Sequence, residues 1–139
     1  MTVRIKYDFN LIKFISMFES LTNASVKDCF NQGDKLVFVV KENQIGKALG
    51  KRGSNIKRLE NTFKKKLRII EFNPDLLKFI KNAVYPSQIK DIEEEDDVVT
   101  ITPADSKTRG HLIGRAAVNL RNIEGIVKRY FKIKEIKVI

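Results

Sequence analysis

The stretch IGKALGKRGSNI, residues 45–56, decides the fold of this chain. Its centre is the sequence GKRG, residues 50–53, with apolar residues at helical spacing on both sides. This pattern predicts a short helix, a tight turn and a second helix. Because glycine lacks a Cβ atom, another backbone can approach the turn closely, and the positive end of the second helix lies beside it. A turn of this kind suits a phosphate group.

Two other glycine-rich loops that bind phosphates do not fit this stretch. A P-loop needs four residues between its glycines, followed by Lys and then Ser or Thr. Here three residues separate Gly46 from Gly50, and Arg52 stands where the hydroxyl should be. The G-x-G-x-x-G spacing of a dinucleotide-binding turn is also missing. We therefore exclude a nucleotide hydrolase of these classes.

The chain contains the same unit twice. Residues 45–65 align with residues 109–129, and the upstream segments 26–40 and 11–15 align with 89–103 and 76–80. Five identities mark the first of these alignments: Gly46 with Gly110, Gly50 with Gly114, Asn55 with Asn119, Glu60 with Glu124, and Lys64 with Lys128. Three blocks in the same order and at nearly the same spacing indicate a tandem duplication.

Each unit is predicted to have the order helix–strand–strand–helix–turn–helix–strand, an α+β fold. In the first unit, residues 1–73, we expect helices at 8–21, 43–49 and 54–64 and strands at 25–30, 35–41 and 67–72. In the second unit, residues 74–139, we expect helices at 75–84, 106–113 and 118–130 and strands at 88–93, 97–102 and 132–138. Asn73-Pro74 breaks the chain between them, and so short a link predicts a fixed mutual orientation.

Several residues are predicted to build the core and its boundaries. The first helix should bury a stripe of Leu11, Ile12, Ile15 and Phe18. The strand 35–41 alternates in a way that predicts full burial on the face of Leu36, Phe38 and Val40 and partial burial on the face of Val37 and Val39. Ser54 is the predicted N-cap of the helix that follows the GKRG turn.

The charge of the chain favours a polyanionic partner. The 139 residues include 42% hydrophobic and 32% charged residues, as in a folded protein, and the formal net charge is +10. Residues 1–73 hold 15 basic against 7 acidic residues, whereas residues 74–139 hold 12 against 10. The positive charge is therefore concentrated around the GKRG turn and the helix behind it.

Composition also limits other classes of function. No apolar run approaches the length of a membrane helix, and the charged N-terminus does not resemble a signal peptide, so we expect a cytoplasmic protein without a membrane contact. One cysteine and one histidine exclude a disulfide framework and a conventional zinc site, and we expect no metal or cofactor. Cys29 is predicted to be buried and His111 exposed. The acidic run 93–97 is predicted to be a solvated hairpin turn instead of a cation site.

The sequence around GKRG, from Ile45 to Ile56, resembles the KH domain, whose G-x-x-G loop clamps about four nucleotides of a single strand. The order of elements is similar to that of type II KH domains. Two such domains in about 140 residues resemble the archaeal NusA-like transcription factors. This resemblance implies that Gly50, Lys51, Arg52 and Gly53 hold the RNA backbone. It also implies an apolar groove of Ile45, Leu49 and Ile56, with Val37 or Val39, and flanking contacts from Lys47, Lys57 and Arg58.

The second unit departs from this pattern, because its turn reads GRAA, residues 114–117. Alanine at the last position adds a methyl group where a phosphate would approach and has a steric cost at positive φ. Two readings stay open. Either this turn is a structural relic, or it binds RNA more weakly through Lys107, Arg109, Gly114 and Arg115.

The resemblance implies a non-enzymatic protein that binds single-stranded RNA in transcription elongation or termination, next to RNA polymerase, and we expect a monomer. A KH protein of ribosome assembly or translation is the alternative, since the loop chemistry would be the same. A nuclease is disfavoured because the carboxylates are scattered and His111 has no evident partner. A protein–protein adaptor on a KH scaffold would bind RNA no worse after charge reversal at Lys51 and Arg52.

Overall fold

The computed structural model describes residues 9–139 and divides the chain into two compact units, the first ending at Phe72 and the second running from Asn73 to Ile139. The elements of the first unit are α1 (Phe9–Thr22), β1 (Val26–Gln32), β2 (Lys35–Val40), α2 (Ile45–Leu49), α3 (Ser54–Phe63) and β3 (Lys66–Glu71). Its sheet has the order β1-β2-β3, in which β2 pairs antiparallel with β1 and parallel with β3.

The second unit repeats this architecture. Its elements are α4 (Leu76–Val84), β4 (Ile89–Glu95), β5 (Val98–Pro103), α5 (Ser106–Ile113), α6 (Val118–Lys128) and β6 (Glu135–Val138). The sheet order β4-β5-β6 again combines an antiparallel and a parallel pair. The predicted α+β fold with two three-stranded sheets is confirmed. The predicted last strand, 132–138, began too early, because β6 starts at Glu135. The Lys134 N–H, just before it, donates to the Asp97 carbonyl at 2.7 Å.

The core of the first unit lies between its helices and one face of its sheet. Phe18 of α1 stacks on Phe38 of β2 with ring centroids 4.2 Å apart, and both side chains are fully buried. One predicted core residue is wrong, because Ile12 is 56% exposed. It lies one position beyond Leu11, about 100° around the helix, and so faces away from the buried stripe. The predicted start of α1 at residue 8 lies outside the described residues.

The central strand β2 is more buried than its sequence pattern predicted. Residues 36–40 are all completely buried, including Val37 and Val39, which were expected to be partly exposed. A central strand has neighbours on both edges, and here both faces are covered as well. Its counterpart β5 keeps the alternating pattern, with Val99 and Ile101 buried and their neighbours half-buried.

In each unit a glutamate joins the third helix, α3 or α6, to the last strand. Glu60 Oε2 accepts a hydrogen bond from the Leu67 backbone N–H at 2.9 Å, and Glu124 Oε2 accepts one from the Ile136 N–H at 2.9 Å. Each bond joins a helix to a strand that follows it, so the helix behind the turn has a fixed position on its sheet.

Among the helices of residues 9–139, none has both the length and the apolar character needed to cross a bilayer.

Candidate nucleic-acid interface

The GKRG sequence forms a tight loop between α2 and α3, and we call residues 50–53 the GKRG loop. Gly50 has φ 72° and ψ 176°, Arg52 has φ 56° and ψ 30°, and Gly53 has φ 71° and ψ 19°. The Gly50 N–H donates to the Gly46 carbonyl at 3.0 Å, and the Gly53 N–H donates to the Gly50 carbonyl at 3.3 Å. The first bond closes the end of α2 and the second lies within the loop. Between the two glycines are the exposed residues Lys51 and Arg52.

The first glycine of the loop is required for two separate reasons. Its backbone conformation is one that only glycine adopts readily. A Cβ atom on Gly50 would also lie 2.7 Å from Asn55 Cγ, which is closer than such contacts occur. Asn55 holds this position because its Nδ2 donates to the Lys47 carbonyl at 2.9 Å, across the loop. Sequence reasoning did not assign Asn55 a role, although its identity with Asn119 in the repeat was a signal.

The helix that follows the loop starts without a side-chain cap. Gly53, not Ser54, occupies the N-cap position of α3, in the left-handed conformation, so the prediction for Ser54 is wrong. The helix therefore begins one residue earlier than a cap at Ser54 would place it, and Ser54 is the first helical residue. The first backbone N–H groups of a helix lack intrahelical partners, and no side chain caps them at this end of α3. The positive end of the helix dipole therefore faces the loop.

The other predicted site residues of the first unit lie around this loop. Lys47 on α2 and Lys57 and Arg58 on α3 are exposed. Ile45 and Ile56 are half-buried and pack against the core, so each presents only part of its side chain to a groove. The expected contribution of Val37 or Val39 is wrong, because both are completely buried and cannot contact a ligand.

The loop of the second unit, residues 114–117, which we call the GRAA loop, has the same backbone as the GKRG loop. Gly114 has φ 73° and ψ 176°, Ala116 has φ 53° and ψ 31°, and Ala117 has φ 61° and ψ 22°. Asn119 Nδ2 donates to the His111 carbonyl at 2.8 Å, which repeats the bond made by Asn55. The loop has therefore kept its shape although alanine replaces its last glycine.

The basic residues predicted in the second unit are exposed near this loop. Lys107 and Arg109 lie on α5 and Arg115 lies in the loop, whereas Gly114 is half-buried. His111 is exposed, as expected, and lies with Lys107 and Thr108 around an open depression of about 480 Å³. Whether these groups bind RNA stays a prediction.

Cys29 and the acidic run 93–97, the remaining candidate groups of the sequence, have structural explanations. Cys29 is fully buried in β1, as predicted. The acidic run ends β4 and forms the turn to β5, where Asp96 and Asp97 have φ values of 52° and 64°. Within the part of the chain that the structure describes, no cluster of His, Cys, Asp or Glu could hold a metal ion.

This chain is similar to a known domain family and to known proteins. A family model described as "KH domain" matches residues 15–81, which include α2, the GKRG loop and α3. A "Probable transcription termination protein NusA" of Methanococcus vannielii is 37% identical over 140 aligned positions, covering 99% of this chain and 81% of that protein. The protein with the same description in Methanocaldococcus jannaschii is 38% identical over 128 positions, covering 90% of this chain and 70% of that protein.

A solved structure shares the fold over nearly the whole chain. The crystal structure of APE1850 superposes with a TM-score of 0.75 and 24% sequence identity, and the match covers 96% of this chain and 100% of that one. At this identity the likeness concerns the fold, and the two-unit architecture is therefore found in an experimental structure too.

Proposed function

Since this chain belongs to the family of archaeal proteins described as probable transcription termination protein NusA, and carries a KH domain, we propose that it binds single-stranded RNA and acts in transcription termination or elongation. The observation that carries the proposal is the GKRG loop. Its glycine-dependent backbone, the uncapped start of α3 and the exposed Lys51 and Arg52 converge on one place. Together they offer N–H donors and positive charge to a phosphate.

In this proposal the RNA backbone contacts the GKRG loop, and Lys47, Lys57 and Arg58 lie along its path. The half-buried side chains of Ile45 and Ile56 support the bases from the protein side. Exposed lysine and arginine side chains contribute through counterion release, so binding should weaken steeply as salt rises. The protein acts as a monomer and by binding, without catalysis.

The test is a fluorescence anisotropy titration with short single-stranded RNAs at two salt concentrations. The variant Lys51→Asp/Arg52→Asp should bind at least about tenfold more weakly than the wild type, because it places two negative charges against the phosphates. The control Lys78→Asp/Lys90→Asp makes the same change in net charge at exposed residues of the second unit. Circular dichroism checks that all three proteins are folded. Equal losses in both variants would show that net charge, and not the loop, governs binding.

The role in transcription needs a separate experiment. We propose that the protein meets RNA polymerase at the nascent RNA, and this rests on the descriptions of the relatives. Affinity purification from a native extract treated with RNase should recover polymerase subunits. Recovery of ribosomal proteins in their place would favour the alternative role in ribosome assembly or translation.

A further inference from the structure

A second concentration of positive charge lies at the far end of α3 from the GKRG loop. The residues there line an open depression of about 530 Å³: Lys57, Glu60, Asn61, Lys64, Lys65 and Lys66. We call its four lysines the lysine patch. With ten residues in α3 and a rise of 1.5 Å per residue, the end of this helix lies about 15 Å from the loop. Lys57, the fourth residue of α3, is the member of the lysine patch nearest to the loop in the chain.

The charges of the lysine patch are not neutralised by carboxylates. Within residues 9–139 none of its lysines has an ion pair, and Lys65 Nζ donates only to the neutral Asn31 Oδ1, at 3.1 Å. Glu60, the one acidic residue among the described residues that line the depression, accepts the Leu67 N–H through its Oε2. Among residues 9–139, the depression therefore combines four lysines with a single carboxylate, which already binds a backbone N–H of the fold.

In the second unit, two basic residues at the equivalent positions are ion-paired. Arg121 and Lys128, which correspond to Lys57 and Lys64, both form ion pairs with Glu124, at 3.3 and 3.8 Å. Glu124 also accepts the Ile136 N–H of β6 while it makes these pairs. The fold thus allows basic residues at these positions to pair with the glutamate. It does not require the arrangement of the first unit, in which Lys57 and Lys64 form no ion pair within residues 9–139.

Folding stability does not explain the lysine patch either. Lys64 ends α3 with φ 56°, a conformation in which glycine or asparagine is the favoured residue. Lys66 lies beside Lys35 in the register of β2 and β3, so two like charges are neighbours. Crowding of this kind disfavours the folded state unless a polyanion lies against it.

We propose that the lysine patch binds phosphates of an RNA segment that continues from the GKRG loop along α3. The inference rests on the proposed function, because the occupant is the same RNA strand. Continuity favours RNA over an acidic protein surface, since Lys57 adjoins the RNA path at one end and the depression at the other. The first unit then contacts more nucleotides than the roughly four that a G-x-x-G loop clamps.

The test compares RNAs of about 5 and about 12 nucleotides, of the same base composition, at about 50 mM salt and above. The variant is Lys64→Asn/Lys65→Gln/Lys66→Gln, in which asparagine tolerates the left-handed conformation at position 64. We expect about tenfold weaker binding of the longer RNA and a salt slope smaller by about 2, at about 0.7 per phosphate contact. Binding of the shorter RNA should change less than about twofold.

Two controls separate this inference from the proposed function. The variant Lys78→Gln/Lys81→Gln/Lys90→Gln removes the same charge from the second unit and should bind both RNAs nearly as the wild type does. The Lys51→Asp/Arg52→Asp variant should lose affinity for both lengths, and if it does not, the proposed function fails. If it does and the lysine variant binds both RNAs normally, the lysine patch is not an RNA surface. Equal losses for both lengths in the lysine variant would also overturn the inference, by placing the lysines within the short site.

Discussion

The GKRG loop and the GRAA loop have one backbone shape and two different surfaces. Their φ and ψ values at corresponding positions agree within about 10°, and each loop is bridged by an asparagine bond of 2.8 or 2.9 Å. The tip of the first loop carries Lys51 and Arg52, whereas the second carries Arg115 and Ala116. Shape is therefore set by the glycine and asparagine that the loops share, and charge by the residues that differ.

The shape that the two loops share bears on whether the GRAA loop is a structural relic or a weaker RNA site. The GRAA loop has not collapsed, because its backbone still has the shape of the GKRG loop. The equivalent position of the first loop has room for a methyl group, because a Cβ on Gly53 would meet only Ile56 Cγ2, at 3.5 Å. The two loops therefore differ in side-chain charge and in one methyl group.

The largest effect should come from the first glycine of either loop. We expect Gly50→Ala and Gly114→Ala each to lower the free energy of unfolding by about 3 kcal/mol, since the new Cβ combines a forbidden backbone conformation with a 2.7 Å contact to asparagine. Urea unfolding followed by circular dichroism measures this. Gly46→Ala is the control, because it lies in α2 with free space around it and should not destabilise. A loss below about 1 kcal/mol at Gly50 or Gly114 would contradict the account of loop shape.

A smaller effect with opposite signs is expected at the last loop position. Gly53→Ala should destabilise the protein by about 1 kcal/mol, and Ala117→Gly should stabilise it by about the same amount, because a Cβ has a cost at positive φ. Thermal unfolding of both variants and of the double variant measures the balance. The two effects should cancel in the double variant, and two changes of the same sign would show that the loops are not equivalent.

Transfer of the loop surface tests whether charge limits the second unit. The variant Ala116→Arg/Ala117→Gly gives the second loop the sequence GRRG on an unchanged backbone. We expect about threefold tighter binding of single-stranded RNA, because one positive charge is added and a methyl group is removed. Anisotropy titration measures it, with Ala117→Gly alone as the control for the methyl group. Unchanged affinity in both would support the reading of this loop as a relic.

The smallest effect concerns pH and the helices that precede the loops. Asp105 caps α5 by accepting the Thr108 N–H at 2.7 Å, whereas the cap residue of α2, Gln44, makes no such bond. Hydrogen bonds from Thr108 hold the pKa of the Asp105 carboxyl below its usual range. Its stabilising contribution is therefore complete above the usual carboxyl pKa, near 4, and is lost as the pH falls through the lowered pKa.

The measurement for this cap is the unfolding temperature of the wild type and of Asp105→Asn between about pH 6 and pH 2. Asparagine keeps an acceptor for the Thr108 N–H but does not titrate. The wild type should lose stability relative to the variant only at the acidic end of this range. Parallel curves would show that the carboxylate charge does not matter at this cap.

Much of this molecule was predictable because its information is local and repeated. Helices and strands were found from their periodicity, and the glycine turn was found from the residues that favour it. The duplication added a second sample of the same signal and marked Asn55 and Glu60 as identical to Asn119 and Glu124, but their hydrogen bonds were seen only in the structure. The basic character of the first unit also follows from the sequence, since charge does not depend on packing.

The tertiary structure decided what depends on neighbours from distant parts of the chain. It buried both faces of β2 and thereby removed Val37 and Val39 from the groove, and it turned Ile12 outward. It shifted the start of α3 by one residue, so that Gly53 and not Ser54 became the cap. Within residues 9–139, Arg121 and Lys128 form ion pairs but Lys57 and Lys64 do not, because pairing depends on distances that identical spacing does not fix.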